Sequence, residues 1–225
     1  MQMRLFNGLV LLWISMLFCA PGLAQEYAIE PLPGAPEDDD VSAELRSALQ
    51  DSGFVVRRGS RTVGEFWFAK SLEVDPSFTP TPQRLYPFRS GQLIGLLHLR
   101  RRGSDFRDQQ ISSGWYTLRF ALQPVDGNHV GTSPTRDFLV LIDAQSDAPD
   151  KQWPEEELHA AAAEVAGSNH PAMLCLQPPV DSPQPSVRHD ENHDWWIAHF
   201  VVPAVKQGQP VQQPIDIVVE GHAPE

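Results

Sequence analysis

Apolar and polar positions along this chain alternate in short stretches, and few stretches hold a helical repeat. The clearest runs from Gly114 to Gln123, where Tyr116, Leu118, Phe120 and Leu122 interleave with Trp115, Thr117, Arg119 and Ala121. A period of two sends successive side chains to opposite faces, so this segment predicts a strand with one apolar face toward the core and one mixed face. Asp137 to Ile142 contains the unbroken run Phe138 to Ile142, the pattern of a strand covered on both sides. Phe54 to Arg57 and Thr62 to Ala69 flank Arg58-Gly59-Ser60-Arg61 and read as a hairpin. Gln92 to Leu99, Ala172 to Gln177, Trp195 to Val202 and Ile215 to Glu220 complete a set of about eight short strands separated by turn-forming residues.

One helix stands apart from this pattern. Pro154 fits a first helical position, Glu155 to Glu157 complement the helix dipole, alanines fill the middle and Gly167 is a natural stop. Its apolar stripe of Leu158, Ala161 or Ala162, and Val165 is thin, which places it against an edge or end of a sheet. Together the elements predict a mainly β fold, an antiparallel two-sheet β-sandwich with one short peripheral helix.

Ahead of the strands the pattern changes. Arg4 leads into the apolar run Leu5 to Phe18, and small residues Gly22 and Ala24 follow, so residues 1–24 read as a signal peptide cut after Ala24. The run is too short for a membrane span, and no other span is expected after cleavage. Cys19 follows the bulky Phe18, which argues against its becoming a lipidated first residue. The protein is therefore expected to be secreted or periplasmic. Residues 25–51, with Pro31, Pro33, Pro36 and the acidic run Glu37 to Asp40, read as a flexible leader containing at most a short helix around Val41 to Leu49. Residues 52–222 form the expected sandwich domain.

Charge narrows the partners. The formal net charge is -12, a surface that repels nucleic acid and anionic headgroups. Cys175 is the one cysteine beyond the expected cut, so it can form no intramolecular disulfide and reads as a small core hydrophobe.

Few residues carry candidate chemistry. Asp126-Gly127-Asn128-His129 puts a carboxylate, an amide and an imidazole in four positions, enough for a metal or polar ligand, although the same residues are what a tight turn selects. His170 stands before Pro171 at a helix-to-strand junction, where it either faces a cleft or bonds the helix's last carbonyls. Asp105-Phe106-Arg107-Asp108 and Arg136-Asp137 place opposite charges side by side in loops next to strong strands, the composition of a salt-bridged cluster or an anion site. His189 and His193 have ligand spacing but lack a helical context and read as a solvated loop. Trp67, Trp115, Trp153, Trp195 and Trp196 read as core more readily than as a ligand groove. The sequence contains no Gly-x-Ser-x-Gly elbow, His-Glu-x-x-His, phosphate loop, dinucleotide fingerprint or paired-cysteine zinc motif.

The run from Gly114 to Pro124, followed by Asp126-Gly127-Asn128-His129 and Thr132 to Phe138, together with Asp105-Phe106-Arg107, Asn169-His170-Pro171 and the strand near Trp196, resembles a family of uncharacterised exported bacterial proteins. The likeness spans Phe54 to Gly221. It implies a bacterial source and an exported β-domain, with no activity attached. Within it, Asp105, Arg107, Asp126, Asn128, His129, Arg136, Asp137 and His170 form the expected candidate binding set.

Two functions compete at this point. The leading expectation is a non-catalytic domain that binds a ligand or protein partner through polar loops on a rigid sheet and needs no cofactor. Its rival is a metal-dependent hydrolase in which Asp126, His129 and His170 hold a divalent metal that activates water.

Overall fold

The computed structural model describes residues 27–124, 133 and 135–223. The expected signal peptide, its expected cleavage site and the Asp126 to His129 segment lie outside these residues. The fold is mainly β, as its strand pattern predicts.

Thirteen strands are described: β1 (Tyr27–Pro33), β2 (Ser52–Arg58), β3 (Arg61–Phe68), β4 (Leu72–Glu73), β5 (Leu93–Leu99), β6 (Gly103–Ser104), β7 (Gln110–Ile111), β8 (Gly114–Leu122), β9 (Asp137–Asp143), β10 (Met173–Gln177), β11 (Ser186–Asp190), β12 (Trp195–Lys206) and β13 (Gln209–Glu220). Two helices accompany them, α1 (Ala43–Ala48) and α2 (Glu155–Ala166). The pairing order is β1-β2-β3-β5-β8-β9-β10-β13-β12-β11, with β4 added in parallel to β12 and β6-β7 forming a separate ribbon. Every neighbouring pair along the main path is antiparallel.

The expected two stacked sheets are therefore not what the hydrogen bonding gives, since one continuous sheet curls until its two ends face each other. Sheets twist by about 20 to 25° per strand, and ten successive strands accumulate enough turn to do this. Phe200 of β12 shows the result: its ring lies 5.1 to 5.4 Å from those of Phe54, Phe66 and Phe68 on β2 and β3, near the opposite end of the order. The concave face encloses the main core, to which Leu118, Phe120, Leu139, Ile215 and Ile217 contribute fully buried side chains. The predicted inner face of β8 is correctly placed, with Tyr116, Leu118 and Phe120 in this core and Leu122 packed against it.

The edges β1 and β11 share no ladder and meet through side chains. Tyr27 and His189 both stack on Trp196, with centroids 3.9 and 4.3 Å away, and Glu220 receives Arg58 at 2.5 Å and Arg61 at 3.5 Å. Residues 27 onward thus correct the expectation of a flexible leader. Tyr27 to Pro33 pairs along its length with β2, and Ser42 caps α1 by accepting from the Leu45 amide at 3.0 Å. Proline is compatible with β1 because an edge strand needs donors on one side only.

The convex face is also covered. Leu45 of α1 and its C-cap Leu49 pack on Trp67 and Leu96. Leu158 and Ala162 from α2 pack on Ala121, Val140 and Ile142, so this helix lies across the sheet face and not at its edge. Pro154 is its N-cap, and Gly167 (φ 60°) ends it in the left-handed region, where a Cβ would be strained. Between the helices, the predicted mixed face of β8 buries Arg119. Its guanidinium donates to both oxygens of Asp147 at 2.8 and 2.9 Å and to the carbonyls of Gly91 and Lys151 at 2.8 and 3.2 Å.

Candidate functional site

The small side chains that let α2 approach the sheet also leave space beside it. Ala121, Val140 and Phe138 on the convex face, Ala160 and Ala163 on α2, and Phe106 and Met173 bound a cleft of about 560 Å³. Its size is that of a small-molecule pocket, and its floor is apolar. Arg107, His159, His170, Asn169 and Gln123 line it as well. Among the described residues its lining thus includes a guanidinium and two imidazoles but no carboxylate, hydroxyl or thiol side chain.

Asp105 builds the wall that carries Arg107. Its carboxylate accepts from the amides of Arg107 (2.8 Å), Gln109 (2.9 Å) and Met173 (3.1 Å) and from the Gln109 side chain (2.8 Å). Phe106 donates its amide to Met173 at 2.8 Å, and its carbonyl accepts from Ala223 at 2.7 Å. Four donors to one short side chain lock the loop between β6 and β7 against the start of β10. Burial pushes the Asp105 carboxyl above its ordinary value, opposed by those same donors. The opposite rim is set by Ser168, whose hydroxyl meets the Gln109 side chain and accepts from the His170 amide at 2.9 Å. His170 is thereby held exposed at the mouth of the cleft.

The structure divides the sequence-based candidates. Arg107 and His170 line the cleft, and Asp105 supports it from behind. Arg136 donates to the Gln123 carbonyl at 2.7 Å, which joins it to a residue that lines the cleft. Asp137 belongs elsewhere: buried toward the concave side, it accepts from the amides of Leu85 and Tyr86 at 2.9 and 3.0 Å and pins the proline-rich loop. Asp126, Asn128 and His129 fall outside the described residues. Among the described residues no three His, Cys, Asp or Glu side chains gather as a metal site.

His159 was not singled out by the sequence reading, although its place one residue after Leu158 in an alanine-rich helix puts it beside the apolar stripe. His199 was also missed. Buried on β12, it faces Asp216 Oδ1 at 2.5 Å through Nδ1 and the Ser182 carbonyl at 3.0 Å through Nε2, while Arg188 meets the second Asp216 oxygen. Every partner is used, and the cluster ties the connection before β11 to the sheet. His189 and His193 stack on Trp196 and Trp195 and bond Asp194 and Asp190 at 2.8 Å. Neither a protein-family model nor a curated protein nor a solved structure matches this chain.

Proposed function

We propose that this protein is an exported, non-catalytic binding protein that holds a small amphipathic anion in the cleft between α2 and the convex sheet face. The observation that carries this reading is the cleft's composition, an apolar floor with the cationic or imidazole side chains of Arg107, His159 and His170 around it and no carboxylate among its described lining residues. A chain of net charge -12 gains nothing in solubility from such a lining, and a guanidinium beside an apolar floor suits a carboxylate or sulfonate head on a hydrocarbon or aromatic body. The described lining residues supply groups suited to binding, a guanidinium and two imidazoles over an apolar floor. On this reading the curled sheet acts as the rigid two-layered scaffold expected from the strand pattern, and the expected signal peptide delivers the domain outside the cytoplasm.

Decanoate and decanol, equal in chain length and different in head charge, separate the contributions. Decanoate is expected to raise the melting temperature saturably and decanol to do so less, because a ligand selective for the native state stabilises it. Arg107→Gln should weaken decanoate about tenfold, the order expected for losing a charge-assisted hydrogen bond of about 1.5 kcal/mol. Ala163→Trp, which fills the cleft from α2, should abolish binding of both. Unchanged decanoate affinity in Ala163→Trp would overturn the proposal.

A further inference from the structure

Two residues before Ala121 on β8, the buried Arg119 underlies a second pocket of about 400 Å³ that shares no described lining residue with the cleft. We infer that this pocket is a distinct binding site for a small, multiply charged oxyanion such as a phosphate group or a polycarboxylate.

Its walls are held by Arg119. One guanidinium nitrogen donates to the Gly91 carbonyl at 2.8 Å and to the Lys151 carbonyl at 3.2 Å, joining the Arg89-Ser90-Gly91 turn to the segment that carries Lys151 and Trp153. Gly91 has φ 77°, and its amide donates to Phe120 at 2.8 Å, so the turn is fixed to the sheet as well. The Asp147 beneath is used up by Arg119, Thr117, Trp153 and the Ala148 amide, and projects no spare charge into the pocket.

Lys70, Arg89 and Lys151 stand around this rigid floor with Glu73 as the single carboxylate among the described lining residues. Their present partners are weak competitors. Lys70 meets Asp51, a carboxylate 83% exposed, and Arg89 meets Glu73 at 3.6 Å with both side chains at least 70% exposed. Exposed pairs contribute about 0 to 1 kcal/mol, so an incoming oxyanion that contacts several cations displaces them. Lys151 lies 3.5 Å from the Trp153 ring centre and donates to the Ser146 carbonyl at 3.3 Å, which holds its charge at the pocket without a carboxylate partner among the described residues. Gln92, whose side-chain amide donates to the Glu73 carbonyl at 2.8 Å, and Ser90 add polar lining.

The test uses inorganic phosphate and citrate, titrated at constant ionic strength against chloride and read by calorimetry and thermal shift. Saturable binding of at least one of them is expected. Arg89→Gln with Lys151→Gln should weaken it at least tenfold while leaving decanoate binding unchanged, because the two sites share no described lining residue. Glu73→Gln should strengthen it several-fold by removing the lining carboxylate. No saturable binding of either anion, or equal affinity in the wild type and the double variant, would overturn the inference. Should the double variant melt lower without anion, Glu73→Gln still decides: an affinity no higher than the wild type's contradicts the site.

Discussion

At the residue scale, Arg119 and Asp147 show what the interior of this fold demands. Both side chains are almost completely excluded from water, 1% and 0% exposed, and they persist because every donor and acceptor is matched. Removing one partner leaves a buried charge unpaired. Asp147→Ala is therefore expected to lower stability by about 3 to 5 kcal/mol, measured by denaturant unfolding, whereas Arg119→Met with Asp147→Leu should recover a large part of that loss. A double variant no more stable than Asp147→Ala would mean that the cluster acts through its ties to Gly91 and Lys151 and not through charge.

Cys175 gives a second residue-scale prediction, this time in pH. Burial pushes its thiol up to about 11 from an ordinary 9.0. Between these values the unfolded chain has lost its thiol proton and the native chain keeps it, so stability from this group is intact below about pH 9 and falls as pH rises toward 11. The native protein should also resist iodoacetamide at pH 8 and react once denaturant is added. Rapid alkylation of the folded protein would show that Cys175 is accessible.

At the element scale, the sheet has to be held shut where β1 faces β11 without a ladder. Trp196 supplies this contact through Tyr27 and His189, and aromatic pairs contribute about 0.5 to 1.5 kcal/mol each beyond area. Trp196→Ala should accelerate amide exchange in β1 while the β8 amides stay protected. Uniform acceleration across both strands would instead mark one global loss of stability.

The elements differ in how far the sequence announced them. Strand β8 was legible because one face is wholly apolar, and β9 because an unbroken apolar run needs cover on both sides. The proline-bearing β1 was not, since proline argues against a strand until its edge position is known. Strands β12 and β13 run past their predicted ends through Pro203, Pro210 and Pro214 to a turn with Gln207 at φ 53° and Gly208 at φ 76°. Strand β11 was hidden for another reason, because its polar side chains stack and pair on the outside instead of filling a core. The cleft was invisible in one dimension: it arises where small residues of β8 and α2 meet a loop that Asp105 ties to β10. Arg107 and His170, both candidates from the sequence, line the cleft, but only the fold puts His159 beside them.

At the scale of the whole molecule, a continuous curled sheet encloses one core and presents its convex face to two helices. Each helix covers part of that face, and the cleft and the Arg119 pocket occupy what is left between and beside them. On the proposed reading the cationic groups at these gaps attract anions to an otherwise acidic chain, and added salt should weaken decanoate binding modestly because the cleft charges are partly exposed. The most direct measurement is amide chemical-shift mapping of the isotopically labelled protein with decanoate. Shifts that saturate together at Arg107, Ala121, Val140, Ala163 and His170 are the predicted result. Saturable shifts confined to other surfaces, or none at any concentration, would contradict the assignment of the cleft as the binding site.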